Sequence, residues 1–157
     1  MMMTASSTSA ENQNKSNLSQ LEQIEARIDA MDALVERYPA ERVATDLLEL
    51  SEEVLKIWII ARGEFPTTEK KEGFALLALH RQGSRGEPSF NACRETCREI
   101  VYHYNLVLGE PAFQDLPNCL RRMIMVARHL CLFVSGKMQV AGLGEFCCSS
   151  KPLQENT

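Results

Sequence analysis

From Leu18 onward the apolar positions Leu21, Ile24, Ile28, Met31, Val35 and Tyr38 recur in steps of three and four, with acids and Arg27 elsewhere on the surface. That spacing lays one apolar stripe along a 3.6-residue helix and predicts a first helix with a heptad seam. Pro39 stops this helix or starts the next. The second helix is predicted to run to about Arg62, where Gly63 supplies a left-handed cap. Its seam of Val43, Leu47, Leu50, Val54, Ile57 and Ala61 has a second apolar face beside it, made of Leu48, Leu55, Trp58 and Ile59. A helix with two apolar faces sits between neighbours.

Pro66 with Thr67 or Thr68 signals a third helix start, and Gly83 a stop. The turn-rich stretch Gln82–Pro88 precedes Ser89, which is expected to cap a fourth helix with the buried face Phe90, Cys93, Cys97, Ile100, Val101, Tyr104 and Leu108. Gly109 ends it. Asp115-Leu116-Pro117 opens a fifth helix, a cap residue followed by a proline tolerated in the first turn, and Gly136 closes it. No stretch shows clean period-two alternation of β-branched residues. The reading is an all-α, five-helix bundle over residues 18–138. It is flanked by a disordered tail over 1–17, rich in Ser, Thr, Asn and Gln, and a flexible tail over 139–157.

Composition narrows the function classes. The chain has 157 residues, sufficient for one domain with a real core, and a net charge of −4, which argues against a dedicated nucleic-acid binder. The amino terminus has no apolar run of signal-peptide length and only one base, Lys15, within its first 17 residues. Six cysteines, none in a C-x-x-C pair and most at helical core positions, suit reduced thiols and a cytoplasmic protein. The vicinal pair Cys147-Cys148 falls in the carboxy-terminal tail, whose last residues Glu155-Asn156-Thr157 exclude a prenylation box.

The segment Cys119–Val134, CLRRMIMVARHLCLFV, concentrates the open question. Twelve of its sixteen residues are apolar, and the other four are Arg121, Arg122, Arg128 and His129, with no acid among them. It is too short and too charged to span a bilayer. Residues seven apart nearly eclipse on a helix, so Arg121 stacks over Arg128 and Arg122 over His129 in one basic strip. One reading pairs the strip with the first two helices, where residues 18–64 hold eleven acids against five bases. The sharper reading makes these four residues a binding site for an anionic ligand.

Cys93 and Cys97 lie one helical turn apart, a spacing that serves core packing and can also hold a metal or a dithiol. Arg98-Glu99-Ile100-Val101-Tyr102-His103 resembles the R-x4-H pattern of the HEPN family of helical ribonucleases, and Arg122 to His129 fits its R-x6-H form. That resemblance implies a metal-independent ribonuclease in which Arg98 stabilises a phosphate and His103 assists proton transfer. Five residues along a continuous helix turn by about 140°, so such a pair meets only if the helix is distorted. Glu99 also stands where the family usually has a small polar amide.

No nucleotide-binding, hydrolase or zinc-protease fingerprint is present in the sequence, and no cofactor is expected. The first expectation is therefore a cytoplasmic regulatory or accessory protein that binds a protein partner or small anion. It is expected to form a homo-oligomer through Leu21, Ile24, Ile28, Met31 and Val35. The alternatives are the ribonuclease and a thiol or metal sensor centred on Cys93 and Cys97.

Overall fold

The computed structural model describes residues 2–109 and 115–143, and the Cys147-Cys148 pair lies outside them. Its five helices are α1 (Met2–Ala30), α2 (Ala40–Ala61), α3 (Ala75–Gly83), α4 (Arg94–Gly109) and α5 (Leu116–Leu143). Short 3-10 turns at Met31–Leu34 and Pro88–Cys93 follow α1 and precede α4. The all-α bundle read from the periodicity is the fold.

The seam of α1 does its packing inside the chain. Leu21, Ile24, Ile28, Met31 and Val35 are all buried, in the same core as residues of α2 and α5. An oligomer would have to use another surface. The helix starts at Met2 rather than Leu18, and just before the seam Asn17 is buried and accepts a hydrogen bond of 3.2 Å from the Gln13 amide. It ends earlier than the seam predicts, at Ala30. The following 3-10 turn swings Tyr38 outward, where the Arg42 guanidinium lies 5.0 Å from its ring centre.

On α2 both predicted faces are buried, apart from exposed Ala61. That doubly apolar helix contacts α1, α3, α4 and α5. The fifth helix is longer than predicted. It passes through Gly136 because Lys137 and Met138 beyond it are both buried, which gives the last turns something to hold. It packs on α1, α2 and α4 and is the central element of the bundle.

The third helix also departs from expectation, beginning at Ala75 rather than near Pro66. Glu72 and Gly73 both have positive φ, 55° and 88°, a backbone that no helix contains. They form a tight turn closed by reciprocal 3.0 Å hydrogen bonds between Lys71 and Phe74. The segment before the turn is pinned by Gln82. Its amide oxygen accepts from Thr67 N at 2.8 Å, and its amide nitrogen donates to the Phe65 carbonyl at 2.8 Å. Extended chain is thereby held against the end of α3, and its turn is carried towards α4.

Candidate functional site: a basic cleft between the extended segment, α3 and α4

The basic strip on α5 divides. Arg121 donates to the Glu36 carboxylate at 2.8 Å and lies 3.6 Å from Asp32, while Arg128 sits 3.5 Å from Asp29 and 4.0 Å from Glu25. These partners belong to α1 and the turn after it, so half of the strip meets the acids of the first hairpin. All of these groups keep substantial exposure, and each pair contributes at most about 1 kcal/mol. Arg122 and His129 face outward beside the exposed apolar side chains Met125 and Leu132.

The HEPN-like residues do not converge. Arg98 makes a two-pronged bond to Glu72, with distances of 3.0 and 3.3 Å. His103 is buried, and its Nδ1 donates to the Glu99 carbonyl one turn back at 2.8 Å. Arg98 lines one cavity, and His103 lines another of about 290 Å³ together with Arg122. This is the divergence expected of a regular helix.

The cavity that Arg98 lines is more strongly charged. It has a volume of about 260 Å³ and is bordered by Lys71, His80, Arg81, Arg94 and Arg98, with Leu77, Ser84 and Asn91 completing the wall. Each element supplies its share for a local reason. The positive-φ turn delivers Lys71, the last turn of α3 delivers His80 and Arg81, and the first turn of α4 delivers Arg94 and Arg98. Two carboxylates stand at the rim. Glu72 holds Arg98, and Glu69 reaches Arg81 at 4.0 Å. The Arg98 hydrogen bond, reinforced by the charges of Lys71 and Arg94, keeps the Glu72 carboxyl below the usual range. Neither Lys71 nor Arg94 has an ion-pair partner among the described residues. Positive charge is therefore in surplus here, in a chain whose overall charge is negative.

Behind this wall lies a second cluster. His80 is buried and its Nε2 donates to the Phe90 carbonyl at 2.9 Å; the Cys93 thiol reaches the same carbonyl at 3.3 Å. Cys93 immediately precedes the first residue of α4, at the positive end of that helix's dipole. The Cys97 thiol donates to its sulfur, which outweighs the opposing effect of burial. With His80 adding to the stabilisation, the Cys93 thiol is lowered from 9.0 to about 6. Cys97 is pushed the other way, well above the ordinary range, because its proton is held by Cys93 and burial disfavours its charge. Burial alone would lower His80, but its bonds to Cys93 and Phe90 reverse that and raise it.

Among the described residues no group of three or more His, Cys, Asp or Glu side chains is arranged to hold a metal ion. Sequence reasoning singled out Arg98, Cys93 and Cys97 but not Lys71, Arg81 or Arg94. Those three have no shared spacing, and only the turn at Glu72-Gly73 brings the first of them near the others. Among the described residues no helix is long and apolar enough to cross a membrane. No family model, no curated protein and no solved structure matches this chain.

Proposed function

We propose that this protein is a cytoplasmic binding protein, regulatory or accessory in role, that takes a small polyanionic ligand in the cleft of Lys71, His80, Arg81, Arg94 and Arg98. One observation carries the reading: four permanent cations and a histidine from three separate segments line a single cavity, and two of the cations lack acidic partners among the described residues. Guanidinium groups match the planar, two-pronged geometry of phosphate and carboxylate oxygens. A cavity of about 260 Å³ suits a ligand the size of pyrophosphate or a phosphorylated metabolite, not a polymer. The reading is of binding, because what the cleft gathers is fixed positive charge of the kind that holds an anion.

The test is thermal and calorimetric titration with pyrophosphate. At about a hundredfold excess over Kd, folding stability rises by about 2.7 kcal/mol in the native chain. Arg94→Glu or Lys71→Glu abolishes that gain, while Arg121→Glu on the opposite strip leaves it intact. A native chain that shows no stabilisation and no heat of binding refutes the reading.

The outward face of α5 supports a second reading, a protein partner or a second copy of the chain. Met125 and Leu132 are 63% and 47% exposed there, one heptad apart and flanked by Arg122 and His129.

A further inference from the structure

We infer that the second cavity, between the carboxy-terminal half of α4 and the start of α5, binds a small zwitterion of the free α-amino acid type. Its volume is about 290 Å³, and its wall carries one fixed charge of each sign, Asp115 and Arg122. Both side chains are exposed, and neither has an ion-pair partner, in each other or elsewhere among the described residues. The Asp115 carboxylate accepts from the Asn118 backbone N–H at 3.3 Å and from its side-chain amide at 3.1 Å. Those bonds hold it at the start of α5 and leave lone pairs on both oxygens for a further donor.

His103 supplies a third group. It is 8% exposed, lines the same cavity, and lies 2.8 Å through Nδ1 from the Glu99 carbonyl. A carbonyl only accepts, so the proton is on Nδ1 and Nε2 is left as an acceptor. Nε2 has no hydrogen-bond partner among the described residues. A buried polar atom without a partner is the exception in a folded chain, and here it belongs to the wall of a cavity.

The chemistry of this wall selects the ligand. Its two fixed charges cancel, so a simple anion is drawn to Arg122 and repelled by Asp115, and a simple cation meets the reverse. A molecule with an ammonium and a carboxylate a few atoms apart satisfies both ends. Two of its N–H groups go to Asp115 and His103 Nε2, and its carboxylate takes the two-pronged bond of the guanidinium. Asp115 and Arg122 stand seven residues apart, two helical turns or about 10 Å along the axis. Helical side chains lean towards the amino end, which brings Arg122 back over that gap and leaves room for one small molecule. Leu106 and the ring of Tyr102, set edge-on to His103 at 5.4 Å, offer an apolar wall for its side chain. The cavity shares no lining residue with the basic cleft, so it stands or falls apart from the function proposed above.

The experiment is calorimetric titration of the full chain with L-leucine, with N-acetyl-L-leucine, which lacks the ammonium, and with L-leucine methyl ester, which lacks the carboxylate. Leucine is expected to bind, and each blocked form to bind at least about tenfold more weakly. Arg122→Gln removes the anion anchor, and Asp115→Asn removes the charge while keeping a residue that caps a helix well. Each is expected to weaken leucine binding at least about tenfold, whereas Arg128→Gln, on the same helix outside the cavity, leaves it unchanged. In the native chain the 15N resonance of His103 Nε2 is expected to move when leucine is added and to stay in place with the N-acetyl form. No heat from leucine up to its solubility limit overturns the inference. So does a blocked form that binds as tightly as leucine, since the site then reads only one charge. Undiminished binding in both Arg122→Gln and Asp115→Asn, or an Nε2 resonance that bound leucine does not move, places the amino acid elsewhere and overturns it too.

Discussion

Gly83 and Gly136 both lie in helices, yet a methyl group has opposite consequences at the two sites. At Gly83 a Cβ would stand 3.0 Å from Trp58 Cδ1 and 3.4 Å from its Nε1. That indole cannot retreat easily, because its Nε1 donates to the Gly83 carbonyl at 3.0 Å and its ring stacks on Phe90 at 4.8 Å. Gly83→Ala is expected to cost about 1 kcal/mol, the crowding exceeding the gain in helix propensity. At Gly136 nothing lies within 4 Å, and Gly136→Ala should add about 0.5–1 kcal/mol. Urea unfolding followed by circular dichroism reads both. Cys131 provides a pH test at the same scale. Burial, aided by the charges of Glu25 and Asp29, pushes its thiol from 9.0 to about 11. Between those values the unfolded chain has released the proton and the native chain has kept it. The stabilisation is thus complete below pH 9 and is lost as pH rises through 11. Cys131→Ala should flatten the decline of the urea midpoint across that window.

At the level of elements, a single lysine ties the end of α5 to the connection between α3 and α4. The Lys137 ammonium, with a side chain only 10% exposed, donates to Glu87 at 2.9 Å and to Ser89 Oγ at 2.7 Å. Removing the acid strands a buried charge, whereas removing the lysine removes the demand for a partner. Glu87→Ala should therefore cost about 1–3 kcal/mol and Lys137→Met less than about 1 kcal/mol, an ordering that chemical denaturation decides. The helices themselves were legible where apolar spacing and punctuation agreed. Pro39 and Gly63 bound α2 within a residue or so, and Asp115-Leu116-Pro117 opens α5 as expected. The third helix was misread because Pro66 and the threonines that follow also suit extended chain. What decides between the two is Gln82, whose side chain holds that segment from the far end of α3. Such a contact leaves no trace in local periodicity.

Across the whole molecule, charge is sorted in a way that composition conceals. Glu25 and Asp29 of α1, with Asp32 and Glu36 just after it, pair with Arg128 and Arg121, whereas the cleft at the start of α4 is lined by more cations than it has acids to pair them. Spacing along the chain points instead to the α5 strip, because Arg121, Arg122, Arg128 and His129 align on one helix. The cleft residues come from an extended segment and two helices, and their assembly depends on a turn in which Glu72 adopts a positive φ that sequence patterns assign to Asn or Gly. A site made of tertiary neighbours is invisible to helical periodicity, whereas the heptad seam of α1 is pure periodicity and was readable at once.

Trp58 is the only tryptophan in the chain, and its position gives it a use beyond packing. Its indole touches the end of α3 through Gly83, stacks on Phe90, and has Arg62 and Lys137 within 5.4 and 5.9 Å of its ring. Phe90 in turn offers its carbonyl to both His80 and Cys93. A single chromophore thus stands one residue, Phe90, away from His80, which lines the cleft. Its emission colour and lifetime are expected to form an intrinsic optical gauge of that corner of the protein, one that would report a ligand entering the cleft in real time without an attached dye.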